Sequence, residues 1–247
     1  MAVRGVIFDI GGALIWSNHD KFEAACAWAA VNICRSHSFG GDSEALWREL
    51  LAVRRNFSKE GFNYRQINTT SWAIRKVAVR YRFTLEEGLL EKIEEAFVRP
   101  EAHGSVALPD IRKVIGWLEG KVKLGVVSNT RSHILMERTL EHLGMRAVFD
   151  PLVTSAGCGW RKPSPHIFQK AIDAWSLPAD QLVMVGDSLT KDSTGAKSLG
   201  MRTIWLKLDA AENFSAADAV ADTPSQIPGI LAAWGIADQR RITSVTK

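Results

Sequence analysis

Three apolar runs in this chain each stop at small polar or acidic residues: Val6-Ile7-Phe8 at Asp9, Val126-Val127 at Ser128-Asn129, and Val183-Met184-Val185 at Gly186-Asp187-Ser188. Short apolar runs bounded by turn residues read as buried strands. From about residue 100 onward such runs alternate with helical patterns. Strands are expected over 122–127, 148–154, 181–185, 202–206 and near 219, and helices over 109–119, 131–143, 165–175, 190–199 and 224–234. That alternation requires right-handed crossovers and a parallel sheet with helices on both faces. Residues 18–100 break the rhythm. Helical spacing covers 20–38 and about 43–57, Thr70 is placed to cap a third helix, and Thr84-Leu85-Glu86-Glu87 has the capping-box form for a fourth. The expected class is α/β, a Rossmann-like parallel sheet flanked by helices. The core is expected from 1–17 plus 101–247, with 18–100 inserted as an all-helical cap domain.

Composition narrows the partners. The 247 residues are 46% hydrophobic and 23% charged, which is the balance of a soluble globular chain. A net charge of +4 favours anionic ligands without demanding nucleic acid, and no nucleic-acid-binding motif is present. No apolar run reaches the roughly 20 residues of a membrane helix, and the N-terminal residues lack a secretory h-region. Cys26, Cys34 and Cys158 fit neither a zinc site nor a disulfide framework. A cytoplasmic monomer or homodimer with reduced thiols, and with no nucleic-acid or membrane partner, is expected.

In an open parallel sheet, ligands bind beyond the carboxyl ends of the strands, so Asp9, Ser128-Asn129 and Asp187-Ser188 share one rim. The loop Gly159-Trp160-Arg161-Lys162-Pro163 brings a cation to the same place. Carboxylates, a hydroxyl, a lysine and helix N-termini together suit a phosphate bound with a divalent cation. The helix starting near Thr130 offers N–H groups, Lys162 offsets phosphate charge, and Mg2+ takes carboxylate and carbonyl oxygens.

On these residues the chain resembles the haloacid dehalogenase-like (HAD) superfamily of hydrolases. Phe8-Asp9-Ile10-Gly11-Gly12-Ala13-Leu14 is similar to its nucleophile motif, and Val126-Val127-Ser128-Asn129 to its second motif. Arg161-Lys162-Pro163-Ser164-Pro165 resembles its lysine motif, and Val185-Gly186-Asp187-Ser188-Leu189-Thr190-Lys191-Asp192 its acidic fourth motif. The helical insertion also falls where the superfamily places a helical cap. The resemblance implies a Mg2+-dependent phosphatase acting on a small phosphorylated metabolite through an aspartyl-phosphate on Asp9. It assigns Ser128 and Lys162 to catalysis beside Asp9, and Ile10, Gly11, Ser128, Asn129 and Lys162 to phosphate binding. Metal binding falls to Asp9, Asp187 and the backbone carbonyl of Gly11, with Asp192 in support.

The chain departs from that pattern at Gly11, where the superfamily's phosphatases usually carry a second Asp as proton donor and acceptor, a role typically contributing about 10²–10⁴-fold. Ala13 also replaces the usual threonine. His19 is the candidate substitute proton carrier. The alternative from another class is a catalytically impaired regulatory protein that retains phosphate and metal binding. Haloacid dehalogenase and phosphonatase are minor alternatives. Dehalogenases of the superfamily lack this Gly-Asp-Ser metal motif, and phosphonatases need a cap lysine, for which Lys21, Lys59 and Lys76 are available. The arginine-rich stretch 48–82 reads as a solvated face balanced by acidic residues at 86–95. Trp16 and Trp160 are expected to wall an entrance, and Trp28, Trp47 and Trp72 to be buried in the insertion.

Overall fold

The protein is described here from a computed structural model, covering residues 2–16, 19–55, 62–86, 88–207 and 216–236. Six strands form one parallel sheet: β1 (Gly5–Phe8), β4 (Lys123–Ser128), β5 (Leu152–Thr154), β6 (Leu182–Gly186), β7 (Arg202–Leu206) and β8 (Ala219–Ala221). Their spatial order is β5-β4-β1-β6-β7-β8. The chain leaves β1 for one side of the sheet and returns to its other side at β6, so the order reverses at β1. Such a switch opens a crevice at the carboxyl ends of the central strands. The register is level there, with Phe8 opposite both Val126 and Val185.

Every residue of β1 is buried, and side chains alternate between faces. Val6 and Phe8 join the core under α5 (Ile111–Leu118), α6 (His133–His142) and α10 (Ile227–Ala233). The one-turn helix α7 (Ser155–Cys158) follows β5 directly. Ile7 joins Val127 and Met184 under α8 (Pro165–Trp175), which supplies Ile167, Phe168, Ala171 and Trp175. Burial on both faces is why these strands read as continuous apolar runs.

Between β1 and β4 the chain adds α1 (Glu23–Ser36), α2 (Ser43–Arg55), α3 (Thr70–Arg80) and α4 (Leu89–His103). Helix α4 packs along α6 on the core. Arg138 Nε lies 2.8 Å from a Glu95 carboxylate oxygen, and the Ser132 hydroxyl donates to Glu94 at 2.6 Å. Burial raises the Glu94 carboxyl above its ordinary pKa, against the pull of that hydrogen bond. Residues 64–70 also reach the core, where Gln66 N–H donates to Gly159 C=O and Thr70 N–H to Arg131 C=O. Among the described residues no helix is long and apolar enough to cross a membrane.

Several expectations are corrected. The segments entering and leaving the helical block pair as β2 (Ile15–Trp16) and β3 (Val106–Ala107), a ribbon too short to leave a periodic signal. Thr69, not Thr70, caps α3 by accepting the Trp72 N–H. The capping-box stretch does not open α4. Gly88 takes a left-handed φ of 73° and turns the chain into a helix beginning at Leu89, while Glu87 lies outside the described residues. Helix α4 then runs through Pro100 to His103, because Phe97, Val98, Glu101 and Ala102 continue its buried stripe. Trp28 and Trp72 are exposed; Trp28 stacks on Trp47 and Lys76 lies over Trp72. Arg48, Arg55 and Arg80 pair with Glu44, Glu23 and Glu49 rather than with the acidic residues of 86–95.

Ser132 both caps α6, accepting the Leu135 N–H, and satisfies Glu94. Ser132→Ala removes a cap and strands a buried carboxyl. Chemical denaturation should show a loss of about 2–4 kcal/mol, the cap and the unsatisfied group together.

Candidate active site

Asp9 stands one residue beyond β1, with its N–H still donating to Val185 C=O at 2.9 Å. The chain then folds back on itself. The N–H groups of Leu14 and Ile15 converge on Ile10 C=O at 2.9 and 3.0 Å, and Gly12 N–H donates to Ile15 C=O at 2.9 Å. Gly12 has a φ of +75°, and a Cβ there would run into the Asp187 carboxylate. Two constraints thus coincide at one residue, a left-handed backbone and the close approach of an acidic side chain. Gly11 sits in the same turn, bridged to Ile15, but outside the left-handed φ range.

Lys162 is the centre of the rim. Its side chain is 1% exposed, and its Nζ lies 2.8 Å from Asp9 Oδ1 and 2.7 Å from Asp192 Oδ1 while donating to Val127 C=O at 2.9 Å. Burial works against its charge, but the two carboxylates outweigh that and hold the ammonium above its ordinary pKa. Ile10 N–H also donates to Asp9 Oδ1, at 2.7 Å. Among the described residues these contacts all fall on Oδ1, which leaves Oδ2 as the oxygen presented for chemistry.

Asp192 comes from a turn, not from the regular helix expected over 190–199. Residues Leu189–Ser193 form one wide π-type turn before α9 (Thr194–Lys197). Asp192 Oδ2 accepts the Ser188 N–H at 3.1 Å, which folds the carboxylate inward to Lys162. Such turns recur at functional sites because they re-aim one side chain. Asp187 follows β6 two residues beyond Val185, and its carbonyl accepts the Trp205 indole N–H at 2.9 Å.

Carboxylate oxygens of Asp9, Asp187 and Asp192 all lie within 4.8 Å of one another. The crowding of protein atoms and then the Asp9 charge push the Asp187 carboxyl up to about 6, although Asp187 is the one of the three that faces solvent. Burial raises Asp192 as well, opposed by Lys162. Among the described residues Lys162, with a smaller contribution from Lys191, leaves the three carboxylates incompletely neutralised. A hard divalent cation accepts such an all-oxygen set and would relieve the remaining repulsion.

The remaining expected residues divide. Ser128 ends β4, buried, opposite Thr154. The Asn129 side chain is committed to the lysine backbone, accepting from Lys162 N–H at 2.8 Å and donating to Lys162 C=O at 3.0 Å. The N-terminus of α6 lies at Ser132, two residues beyond Thr130, and its cap is Ser132 itself. His19 opens a short 3-10 turn, but its side chain, like Lys59, lies outside the described residues. Trp16 is 46% exposed beside the turn, whereas Trp160 is engaged by the Arg65 guanidinium, 4.3 Å from its ring, and by His166 stacked at 4.1 Å. Cys26, Cys34 and Cys158 are free, and burial pushes the Cys34 thiol up to about 11. Sequence reasoning missed Ser155 and Gln66, and it gave Thr130 and Arg161 no part in linking the loops around Lys162, which all four do. Small polar residues in loops are too common for any of the four to stand out by spacing.

Residues 3–200 match the haloacid dehalogenase-like hydrolase family. The chain belongs to that family. It is 29% identical over 174 residues to the pyrimidine 5'-nucleotidase YjjG of Escherichia coli, a match covering 65% of this chain and 77% of that protein. It is 26% identical over 211 residues to a glyceraldehyde 3-phosphate phosphatase of Methanothermobacter thermautotrophicus, covering 85% and 88%. Among solved structures, a 2-haloacid dehalogenase from Pseudomonas syringae superposes with a TM-score of 0.68 at 22% identity, covering 94% of this chain and all of that one. The structural likeness concerns the fold, which this hydrolase family uses for more than one reaction.

Gly12→Ala would introduce strain at the left-handed φ and push against Asp187. It should lower stability by about 1–3 kcal/mol and weaken divalent-cation binding, read by thermal unfolding with and without magnesium and by titration calorimetry.

Proposed function

We propose that this hydrolase is a magnesium-dependent phosphatase acting on a small phosphorylated metabolite through an aspartyl-phosphate on Asp9. The observation that carries the reading is the single ammonium of Lys162 held between Asp9 and Asp192, with Asp187 completing an oxygen-donor cluster. Support also comes from the two relatives named for phosphate-ester substrates. The three free cysteines and the absence, among the described residues, of a membrane-crossing helix are consistent with a cytoplasmic enzyme.

Asp9, Asp187 and the Gly11 carbonyl would hold the cation, with Asp192 supporting the site. The cation supplies charge stabilisation for the transferring phosphoryl group. Asp9 Oδ2 attacks phosphorus, the bond to the leaving oxygen breaks, and the phosphoryl group is held on Asp9 as an acyl phosphate. Water then attacks the same phosphorus, releasing inorganic phosphate and regenerating the carboxylate. Lys162 fixes Oδ1, which keeps Oδ2 in one orientation, and offsets charge on the phosphoryl oxygens. Ser128 and the backbone N–H of Gly11 bind those oxygens, the Ile10 N–H being engaged by Asp9 Oδ1, while Asn129 keeps Lys162 in place. We read residues 18–100 as a cap domain that excludes water from this step, with the core formed by 1–17 and 101–247.

Gly11 leaves the proton unassigned. The leaving oxygen needs one and the attacking water must lose one, and no carboxyl is present at that position. A leaving group stable as an anion, the substrate's own groups or His19 can each fill the gap. Gly11 equally favours a second reading, a protein that binds phosphate and metal without turnover.

Hydrolysis of p-nitrophenyl phosphate with magnesium separates the two. The wild type should turn it over, and both Asp9→Asn and chelation should reduce the rate to background. Gly11 lies outside the left-handed φ range, so its backbone conformation does not itself demand glycine. Gly11→Asp should therefore raise turnover of an alkyl phosphate by up to about 10²-fold, with a smaller gain on the aryl ester, whose leaving group needs less help. A wild type that binds phosphate yet stays inert, with Gly11→Asp gaining activity, would establish the binding-protein reading.

A further inference from the structure

The helical insertion reaches into the core at one short segment. Arg65 and Trp160 form an antiparallel bridge, in which Gln66 N–H donates to Gly159 C=O at 2.9 Å and Arg161 N–H donates to Tyr64 C=O at 2.8 Å. Four residues later Thr70 N–H donates to Arg131 C=O at 2.8 Å. The same stretch of insertion therefore holds two core loops, the one that follows Ser128 and the one that ends in Lys162.

One side chain joins them. Gln66 Oε1 accepts from Arg161 Nη1 at 2.7 Å and lies 3.1 Å from the Ser155 hydroxyl. Gln66 Nε2 donates to Asn68 C=O at 2.9 Å, which orients the amide so that its oxygen faces the core. Ser155 is fully buried, accepts the Thr130 N–H at 2.9 Å and lies 2.8 Å from Thr130 C=O. Its single proton is thus shared between Thr130 C=O and Gln66 Oε1. Arg161 precedes Lys162, and Thr130 follows Asn129, the residue that clamps the Lys162 backbone from the other loop. The amide oxygen of Gln66 closes a ring of contacts around the base of the lysine.

We propose that Gln66 is a positioning residue. Its carbonyl oxygen holds the Ser128–Thr130 loop and the 159–162 loop at working separation, so turnover requires residues 64–70 to be seated on the rim. The proposal rests on the phosphatase reading. Lys162 Nζ must stay within hydrogen-bond reach of three oxygens on three different elements, and a displacement near 1 Å at such a site can cost about 10²-fold in rate.

The test compares three single variants on p-nitrophenyl phosphate with magnesium, with thermal midpoints measured alongside. Gln66→Leu keeps the bulk and loses the acceptor, and is expected to lower kcat by about tenfold or more with a smaller change in KM. Gln66→Glu keeps an acceptor facing Arg161 and Ser155 and should recover most of kcat. Leu50→Ala truncates a buried side chain of α2 away from the rim, and should lower the midpoint while leaving kcat unchanged. Gln66→Leu retaining kcat within roughly twofold, or Gln66→Glu faring no better than Gln66→Leu, overturns the proposal. If the wild type is inert, the same ranking is read from inorganic phosphate affinity with magnesium present, and an unchanged affinity in Gln66→Leu overturns it there. A wild type that neither hydrolyses the ester nor binds phosphate defeats the phosphatase reading first, and the proposal with it.

Discussion

A lysine ammonium buried between two carboxylates is the contact on which the rest of this rim depends. Removing a charge of this kind from water costs several kcal/mol, and the loss is recovered only where the partners are close and well oriented. Lys162 meets that condition with two carboxylate contacts under 3 Å and a carbonyl at 2.9 Å. The arrangement makes demands on its surroundings. Asp9 must stand at the end of β1, Asp192 must be folded inward by the π-type turn, and the lysine backbone must be gripped from a separate loop by Asn129. Each of these is an observed feature of the chain.

The parallel sheet makes the convergence possible. Because Phe8, Val126 and Val185 are level, the residues just beyond them arrive at one height. The reversal of strand order at β1 prevents the connecting helices from filling the space above. Two glycines in sequence then serve different ends. Gly12 is required by its backbone and by the Asp187 side chain beside it, whereas the φ of Gly11 lies outside the left-handed range. The left-handed backbone of this turn thus accounts for glycine at 12 and not for glycine at 11.

Much of this was legible in the chain. Helix α8 was expected over 165–175 and β7 over 202–206, and both form with those bounds. Pro165 opens the helix and Ile167, Phe168 and Ala171 repeat at helical spacing, so local signals agreed with the packing. Helix α4 failed in both respects: its apparent capping box is unused, and it continues through a proline. Burial against α1 and α6 outweighs local propensity there. The turn at 189–193 was missed for a related reason. A carboxylate turning back to its own backbone leaves no periodic trace, yet it decides where Asp192 points. The hydrogen-bonded ring through Gln66 joins residues 66, 130, 155 and 161, and nothing in their local sequence predicts a shared contact.

By itself the sequence determined the fold class, the order of the strands' polar ends and the identity of the acidic and basic residues at the rim, because apolar periodicity and turn chemistry are local properties. Only the tertiary structure decided that Lys162 bridges Asp9 to Asp192, that Asn129 serves the lysine backbone, and that the insertion grips the two loops through Gln66. Those contacts depend on where separate elements come to lie, and their strength comes from burial, which no single segment possesses until the sheet and the helical block have packed together.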